Sequence, residues 1–402
     1  MRAPALPAPG LPRPLQRAAR LARAAATRAA NEVNAPRFAR QAERRSMLPN
    51  RAVVVFFATG PENLYQLEQW RLPLEELAGQ RPVVVVVDRA DTGEAVLRRT
   101  RLPVALARGS AALETLVAER DVRVVLYLNQ VEANFRMLRF AAPVHVQLGH
   151  GESDKASSVS NQHKAYDLTF VGGPAGSERL AAALRGFDPA TRTAQVGRPQ
   201  LDHAYPGAPD WPADGRRRVL YAPTWEGDRP SIAYGSLASH GVPLVEALLA
   251  AGDVRLLYRP HPRTGVASAA HAAADRRIRE LLARAGEDHL LDTGSYGWQW
   301  TFADACVTDV SAVAYDWLAT GKPLVVTEPA RSALRPPSAL LDRLPLLGAA
   351  DAGRVLERLH GQDPHVLADL TRHYFGDTAG RASTARFHAA VEACYASPLG
   401  AG

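Results

Sequence analysis

From residue 51 onward, short runs of apolar residues alternate with segments that have the composition of helices. Strands that are apolar at consecutive positions are typical of a parallel sheet covered by helices on both faces. The pattern therefore predicts a Rossmann-like α/β domain over residues 51–203. Its predicted strands lie at 52–59, 81–88, 102–107, 122–128, 144–149, 167–173 and 193–199.

A stretch rich in Pro, Gly and Asp at 204–215 interrupts the alternation and predicts a linker. A second Rossmann-like domain is predicted over 216–395, ending in a helix, a turn and a helix, with a short tail at 396–402. Its strands are expected at 217–225, 254–262, 304–310 and 322–328. Two such domains with parallel sheets facing a central cleft are the architecture of many nucleotide-dependent transferases, so we expect the α/β class.

The positive charge of the chain is concentrated at its beginning. The formal net charge is +7, yet residues 1–50 contain ten arginines, no lysine and only two glutamates. The remaining chain is thus nearly neutral, which argues against a nucleic-acid-binding protein. The Arg/Ala/Pro-rich arm at 1–50 is expected to be disordered or an amphipathic helix. It is either a solvated basic tail or a contact with an anionic membrane surface.

No apolar run approaches the roughly 20 residues that a membrane-spanning helix requires. The two cysteines, Cys306 and Cys394, provide neither a disulfide framework nor a zinc cluster. We therefore expect a cytoplasmic protein, with the arm allowing peripheral contact with the inner face of the membrane.

Polar clusters follow several predicted strands, where α/β proteins place their ligands. In the first, His150 stands between two glycines directly after a strand, which leaves its imidazole unshielded. Such a histidine suits a general base that takes a proton from an attacking hydroxyl. A turn histidine is the alternative. Gly151 and Lys155 of the same segment are candidate substrate-binding residues.

The second cluster is a proline-braced basic loop. Pro260 and Pro262 stiffen the loop that carries Arg259, His261 and Arg263. Either arginine can bind phosphate with two hydrogen bonds, and His261 can donate one to the same group. An exposed stiff loop without a ligand is the alternative.

The third cluster precedes a helix predicted from about residue 311. Thr308, Asp309 and Ser311 gather where free N–H groups of the helix favour an anion. A carboxylate repels phosphate, so we expect Asp309 to cap the helix or hold a hydroxyl while Ser311 faces phosphate. An ordinary helix cap explains the same residues.

Smaller clusters add Thr224, after the first strand of the second domain, and Gly197 with Arg198, at the domain junction. Plain loops are the alternative for each. The chain has no Walker A, HExxH or CxxC motif, and its polar clusters contain no Asp-x-Asp. We therefore expect no resident metal or other cofactor, with a loosely bound Mg²⁺ left open.

In this order, the clusters resemble the CDP-glycerol glycerophosphotransferase family of teichoic acid and capsule polymer synthesis. The resemblance covers roughly residues 140–395. It departs at 152–155 and at Ala312, where the family often has a second Ser. The matching segments are His150-Gly151, Gly197–Asp202, Tyr221–Trp225, Arg259–Pro262 and Thr308–Ser311.

The resemblance implies a GT-B-like fold that transfers an alcohol phosphate from a CDP-activated donor to an acceptor hydroxyl, releasing CMP. The alcohol would be glycerol or ribitol, and the acceptor a wall or capsule polymer or its lipid-linked precursor. His150 would be the general base and His261 a ligand of the donor's pyrophosphate. Asp377 and Ser383 would help to complete the nucleotide pocket.

Two other functions stay open at this stage. One is a GT-B glycosyltransferase that uses a nucleotide sugar, and the other is a non-catalytic relative that binds a nucleotide or an anionic polymer. The transferase hypothesis requires His150 and His261 to converge on one gap.

Overall fold

The computed structural model describes residues 13–45, 48–149, 151–155, 158–227, 233–329 and 337–397. The chain forms two compact units, one ending at Val144 and the other running from His145 to Ser397. The division falls at the start of a strand, at a different place from the predicted domain boundaries. Those boundaries stay predictions.

The first unit contains a parallel sheet whose strands run in the order β3-β2-β1-β4. Its strands are rich in valine, whose branched side chain favours the extended backbone, and β1, β2 and β4 are buried along their whole length. The strands are β1 (Val53–Phe57), β2 (Val83–Val87), β3 (Val104–Leu106) and β4 (Val124–Tyr127), and the helices are α1 (Arg13–Arg45), α2 (Leu64–Leu77), α3 (Ala90–Leu97), α4 (Gly109–Glu119) and α5 (Phe135–Leu138).

The predicted arm falls largely within α1, and the C-terminal half of this helix is docked on the first unit. Phe38 is fully buried, and the Asn31 side chain accepts a hydrogen bond from the backbone N–H of Asp91 at 3.0 Å. Glu32 forms an ion pair with Arg108. The described side chains from 18 to 30 are exposed, among them that of Arg28.

The second unit contains a five-stranded parallel sheet in the order β10-β9-β8-β11-β12, and β5, β6 and β7 pair in that order. These strands pair in parallel. The strands are β5 (Val144–Gln147, whose first residue belongs to the first unit), β6 (Leu168–Val171), β7 (Thr193–Gln195), β8 (Arg217–Ala222), β9 (Val254–Tyr258), β10 (Leu290–Leu291), β11 (Ala305–Thr308) and β12 (Leu324–Val326).

Helices cover both faces of the five-stranded sheet. Val219 and Tyr221 of β8 face one apolar cluster, while Leu220 and Ala222 face another. The helices are α6 (Pro174–Ala183), α7 (Pro189–Arg192), α8 (Val242–Ala250), α9 (Ala269–Ala285), α10 (Trp298–Phe302), α11 (Ala312–Leu318), α12 (Ala339–Arg343), α13 (Val355–His360), α14 (Pro364–Phe375) and α15 (Ala382–Ala396).

The strand register brings the predicted site loops to the same end of this sheet, at the carboxyl ends of its strands. Tyr221 of β8 pairs with Tyr258 of β9 and with Val307 of β11. The residues after β8, β9 and β11 therefore emerge side by side at the carboxyl ends of the strands.

The structure confirms every strand that the apolar runs predicted. β10 was not predicted, because two residues are too few to form a run. Among the helices that the structure describes, none is long and apolar enough to cross a membrane.

Candidate active site

Asp309 is the buried centre of the candidate site, directly after β11. Its carboxylate accepts hydrogen bonds from the Thr224 N–H at 2.8 Å, from the Ser236 N–H at 3.2 Å and hydroxyl, and from the Thr327 hydroxyl at 2.5 Å. Burial raises the pKa of the Asp309 carboxyl, against the opposing effect of these donors. Asp309 thus fastens the loops after β8 and β12 to the start of α11, and its predicted contact with substrate stays a prediction.

Thr308 and Ser311 flank Asp309. The Thr308 hydroxyl donates to the carbonyl of Ala222 at 2.7 Å and lies 3.3 Å from the Ser311 hydroxyl. Ser311 precedes α11 without making a side-chain capping hydrogen bond. Both side chains are buried beside the strand ends, and their contact with phosphate stays a prediction.

Gly151 brings the histidine-bearing segment to the same place. A Cβ atom at Gly151 would lie 2.9 Å from the Cβ of Ala312, the first residue of α11. Only glycine allows this approach without a shift. His150 itself lies outside the described residues, so its predicted role as general base stays a prediction.

Lys155 places a cation close to Asp309. Its ammonium lies 5.1 Å from the centre of the Tyr234 ring, and Tyr234 is fully buried. Burial lowers the pKa of Lys155 to about 8, and the nearby Asp309 carboxylate opposes this shift. In the described part of the chain no carboxylate forms an ion pair with Lys155. A partly buried cation that lacks a neighbouring carboxylate as ion-pair partner can bind an anionic ligand.

His261 lies close enough to Lys155 for the two to influence each other electrostatically. Its Nδ1 accepts a hydrogen bond from the backbone N–H of Arg263 at 3.1 Å, so the neutral ring carries its proton on Nε2. Burial lowers the pKa of His261 to about 4, and the charges of Lys155 and Arg263 add to that effect. At neutral pH His261 is therefore an uncharged donor.

Trp225 is the aromatic support of this loop. Its ring stacks on that of His261 with centroids 6.4 Å apart and an angle of 25° between the planes. The Arg263 guanidinium lies 3.6 Å from the centre of the Trp225 ring, a short cation–π contact. The loop after β9 is therefore fixed to the loop after β8 by two of its three predicted ligands, His261 and Arg263.

Glu226 holds the far side of the loop. Its buried carboxylate accepts the backbone N–H groups of Gly265 at 3.0 Å, Ala267 at 2.6 Å and Ser268 at 3.0 Å. Burial opposes ionisation, but the backbone donors outweigh it and lower the pKa of Glu226. These bonds set the path of the chain from His261 into α9.

The two remaining arginine candidates are engaged within the protein. Arg259 donates to the Asp292 carboxylate at 2.7 Å. Arg198 is buried and donates with two nitrogens to Asp316 of α11, at 2.7 and 3.1 Å. The same Asp316 accepts from the Tyr296 hydroxyl at 2.7 Å. Substrate contact by either arginine stays a prediction.

Gly197 and Ser383 form a separate contact near the start of α15. Gly197 has a φ of +74°, and a Cβ atom there would collide with the Ser383 hydroxyl oxygen. Asp377 is exposed in the turn between α14 and α15, where its carboxylate accepts from the Ala379 N–H at 2.9 Å. None of the contacts described for these three residues reaches His261 or Lys155.

Sequence reasoning did not commit to Trp225, Glu226, Tyr234 or Ser236 as site residues. Trp225 and Glu226 directly follow the candidate Thr224 after a strand, so position alone could have found them. Tyr234 and Ser236 lie in a loop where the sequence has no periodic signal, and no pattern marks them.

The parallel sheets, with polar residues after their strands, define an α/β protein with a GT-B-like fold. Solved structures share this fold. A variant of the wall teichoic acid polymerase TagF soaked with CDPG has a TM-score of 0.53 and 14% identity, covering 88% of this chain and 90% of that one. The MnaA–UDP structure from S. aureus has a TM-score of 0.54 and 13% identity, with coverage of 85% and 96%.

A UDP-N-acetylglucosamine 2-epimerase gives a TM-score of 0.51 at 13% identity, covering 83% of this chain and 94% of that one. At such identities the likeness shows a shared fold.

No curated protein sequence matches the chain. A sequence profile described as CDP-glycerol:poly(glycerophosphate) glycerophosphotransferase matches residues 129–332, just over half of the chain. The chain belongs to this family.

The predicted family, fold class and reaction class are thereby confirmed. The activity is of the CDP-glycerol glycerophosphotransferase type, and a CDP-glycerol donor and a polymer acceptor fit the family. The expectation that no cofactor is resident stays a prediction.

Proposed function

We propose that the chain transfers glycerol phosphate from CDP-glycerol to a hydroxyl group of a wall or capsule polymer, or of its lipid-linked precursor. The single observation that carries the proposal is the neutral His261, whose proton lies on Nε2, close to Lys155, which forms no ion pair with any described carboxylate. A neutral donor and a half-buried cation together suit the pyrophosphate of a nucleotide-activated alcohol.

In the proposed reaction the acceptor oxygen attacks the phosphorus that carries glycerol. A new P–O bond forms, the P–O bond to CMP breaks, and the hydroxyl proton passes to a general base. We assign that base to His150, on the sequence argument given above. Lys155, His261 and Arg263 stabilise the charge on the transferred phosphate and on departing CMP.

Incubating the purified protein with an acceptor and either CDP-glycerol or CDP-ribitol, while following CMP release, tests the donor assignment. We expect faster release from CDP-glycerol. Preference for CDP-ribitol would replace the donor, and binding without turnover would favour a non-catalytic relative. Release of a nucleoside diphosphate from a nucleotide sugar would favour a glycosyltransferase.

We also propose that the protein works in the cytoplasm and that α1 contacts the anionic inner face of the membrane. The exposed Arg28, Arg37 and Arg40 support this proposal, together with the docking of Phe38, which would fix the helix to the enzyme. Sedimentation with phosphatidylglycerol vesicles tests it. Binding should be lost when Arg28, Arg37 and Arg40 are all replaced by glutamine, and it should be lost with phosphatidylcholine vesicles. Equal sedimentation of the triple variant would contradict it.

A further inference from the structure

Two buried carboxylates follow His150 in a segment that belongs to no helix or strand. Glu152 and Asp154 are each 8% exposed. A single guanidinium, that of Arg179 on α6, donates Nη1 to Asp154 at 2.7 Å and Nη2 to Glu152. The segment 151–155 is thus tied to α6 by one cation shared between two anions.

The second oxygen of each carboxylate also has a partner. Glu152 accepts the backbone N–H of Gly172, just after β6, at 3.3 Å. Asp154 accepts the hydroxyl of Tyr374, which is buried on α14. The Tyr374 ring meets that of Tyr315 on α11 edge to face, with centroids 5.1 Å apart. Three separate elements therefore hold the segment.

We propose that these four side chains, Glu152, Asp154, Arg179 and Tyr374, form a latch that sets the position of the segment carrying His150 and Lys155. A general base must be held within about 0.5 Å of its productive position. Here no helix or strand supplies that rigidity. A buried hydrogen-bonded network, here with both terminal nitrogens of Arg179 engaged, is able to supply it. The inference rests on the proposed function, because it assigns positioning roles toward the proposed base.

The chain contains a matched control for the latch. Tyr258 of β9 donates its hydroxyl to Asp275 of α9 at 2.8 Å, and Asp275 also accepts from Arg279 at 2.8 Å. This second Tyr–Asp–Arg arrangement has the same chemistry, but its side chains do not contact the segment 151–155. Tyr258→Phe therefore removes an equivalent hydrogen bond elsewhere in the same unit.

The test is a double-mutant cycle on CMP release between Tyr374→Phe and His150→Ala. Tyr374→Phe keeps the ring and its packing and removes only the hydroxyl. We expect it to lower kcat roughly 5- to 30-fold in the wild-type background and less than about twofold in the His150→Ala background. Tyr258→Phe should leave kcat within about twofold of wild type.

A merely structural role of Tyr374 would lower activity equally in both backgrounds, and that result would overturn the inference. Turnover by wild type combined with no effect of Tyr374→Phe would overturn it as well. Absence of turnover by wild type would instead overturn the proposed function, and the inference with it. If Tyr374→Phe does not fold, Arg179→Lys makes the same test, since it keeps the cation and loses the two-pronged geometry.

Discussion

The ammonium of Lys155 lies 5.1 Å from the centre of the Tyr234 ring, and within the described residues its only nearby carboxylate influence is that of Asp309. Asp309 is itself occupied by donors from Thr224, Ser236 and Thr327. The cation is therefore held beside an anion that cannot turn toward it. This relationship supports the proposal that Lys155 binds a phosphate of the donor.

Lys155→Met is expected to weaken binding of CDP-glycerol roughly 10- to 100-fold, because a hydrogen bond to a charged group contributes about 1.5–3 kcal/mol. In the free wild-type protein, affinity should fall above pH 8, since the pKa of Lys155 is lowered to about 8 and the ammonium is lost above it. Titration calorimetry at several pH values measures both effects. Lys164→Met, at an exposed position, is the control, and unchanged affinity in Lys155→Met would remove Lys155 from the site.

The His261 imidazole is expected to titrate near pH 4 in NMR spectra of the free protein. Burial is the larger cause, and the charge of Lys155 adds to it, so Lys155→Met should raise the pKa of His261 while leaving it below 6.5. Above pH 5 His261 should stay neutral, and its charge should not contribute to the pH dependence of donor binding. A wild-type midpoint near 6.5 would contradict the described surroundings of the ring.

Glu226→Gln should loosen the loop that carries His261. The amide has the size of the carboxylate. Its NH₂ group, however, would face backbone N–H groups, and it cannot accept hydrogen bonds from them. We expect the KM for CDP-glycerol to rise roughly tenfold and the free energy of unfolding to fall by about 1–3 kcal/mol. Glu357→Gln, which removes an exposed ion pair with Arg354, should change neither quantity. Equal effects of both variants on KM would show that the loop does not depend on Glu226.

Gly151→Ala should lower kcat/KM at least tenfold, because the new methyl group would lie 2.9 Å from the Ala312 Cβ and would push the segment 151–155 away from α11. Adding Ala312→Gly should restore much of the activity by removing that collision. Gly252→Ala, where a Cβ meets nothing within 4 Å, is the control. Full activity of the single Gly151→Ala variant would show that this close approach is not needed.

The fold was largely predictable because buried parallel strands have a strong local signal. The run Val83–Val87 has only one reasonable interpretation, and the same holds for Val53–Phe57. The division of the chain at Val144 could not be predicted, since it depends on which segments pack together rather than on any break in the pattern.

The sequence selects candidates for the site but not their partners. Position after a strand marked His261, Asp309 and Lys155 as candidates, and their contact with substrate stays a prediction. Nothing in the sequence indicated that Arg198 would form an ion pair with Asp316, 118 residues away. Nor did it indicate that Glu226 would accept three backbone N–H groups, because such partners are fixed only by tertiary packing.

The most direct test of the account is the identity of the product. Purified wild-type protein and His261→Ala would each be given CDP-glycerol and a short polymer of glycerol phosphate, with mass spectrometry of the polymer and quantification of the nucleotide released. The account predicts that the wild type adds one glycerol phosphate unit for each CMP formed, and that His261→Ala does so far more slowly. A polymer of unchanged mass, or one extended equally fast by both proteins, would contradict it.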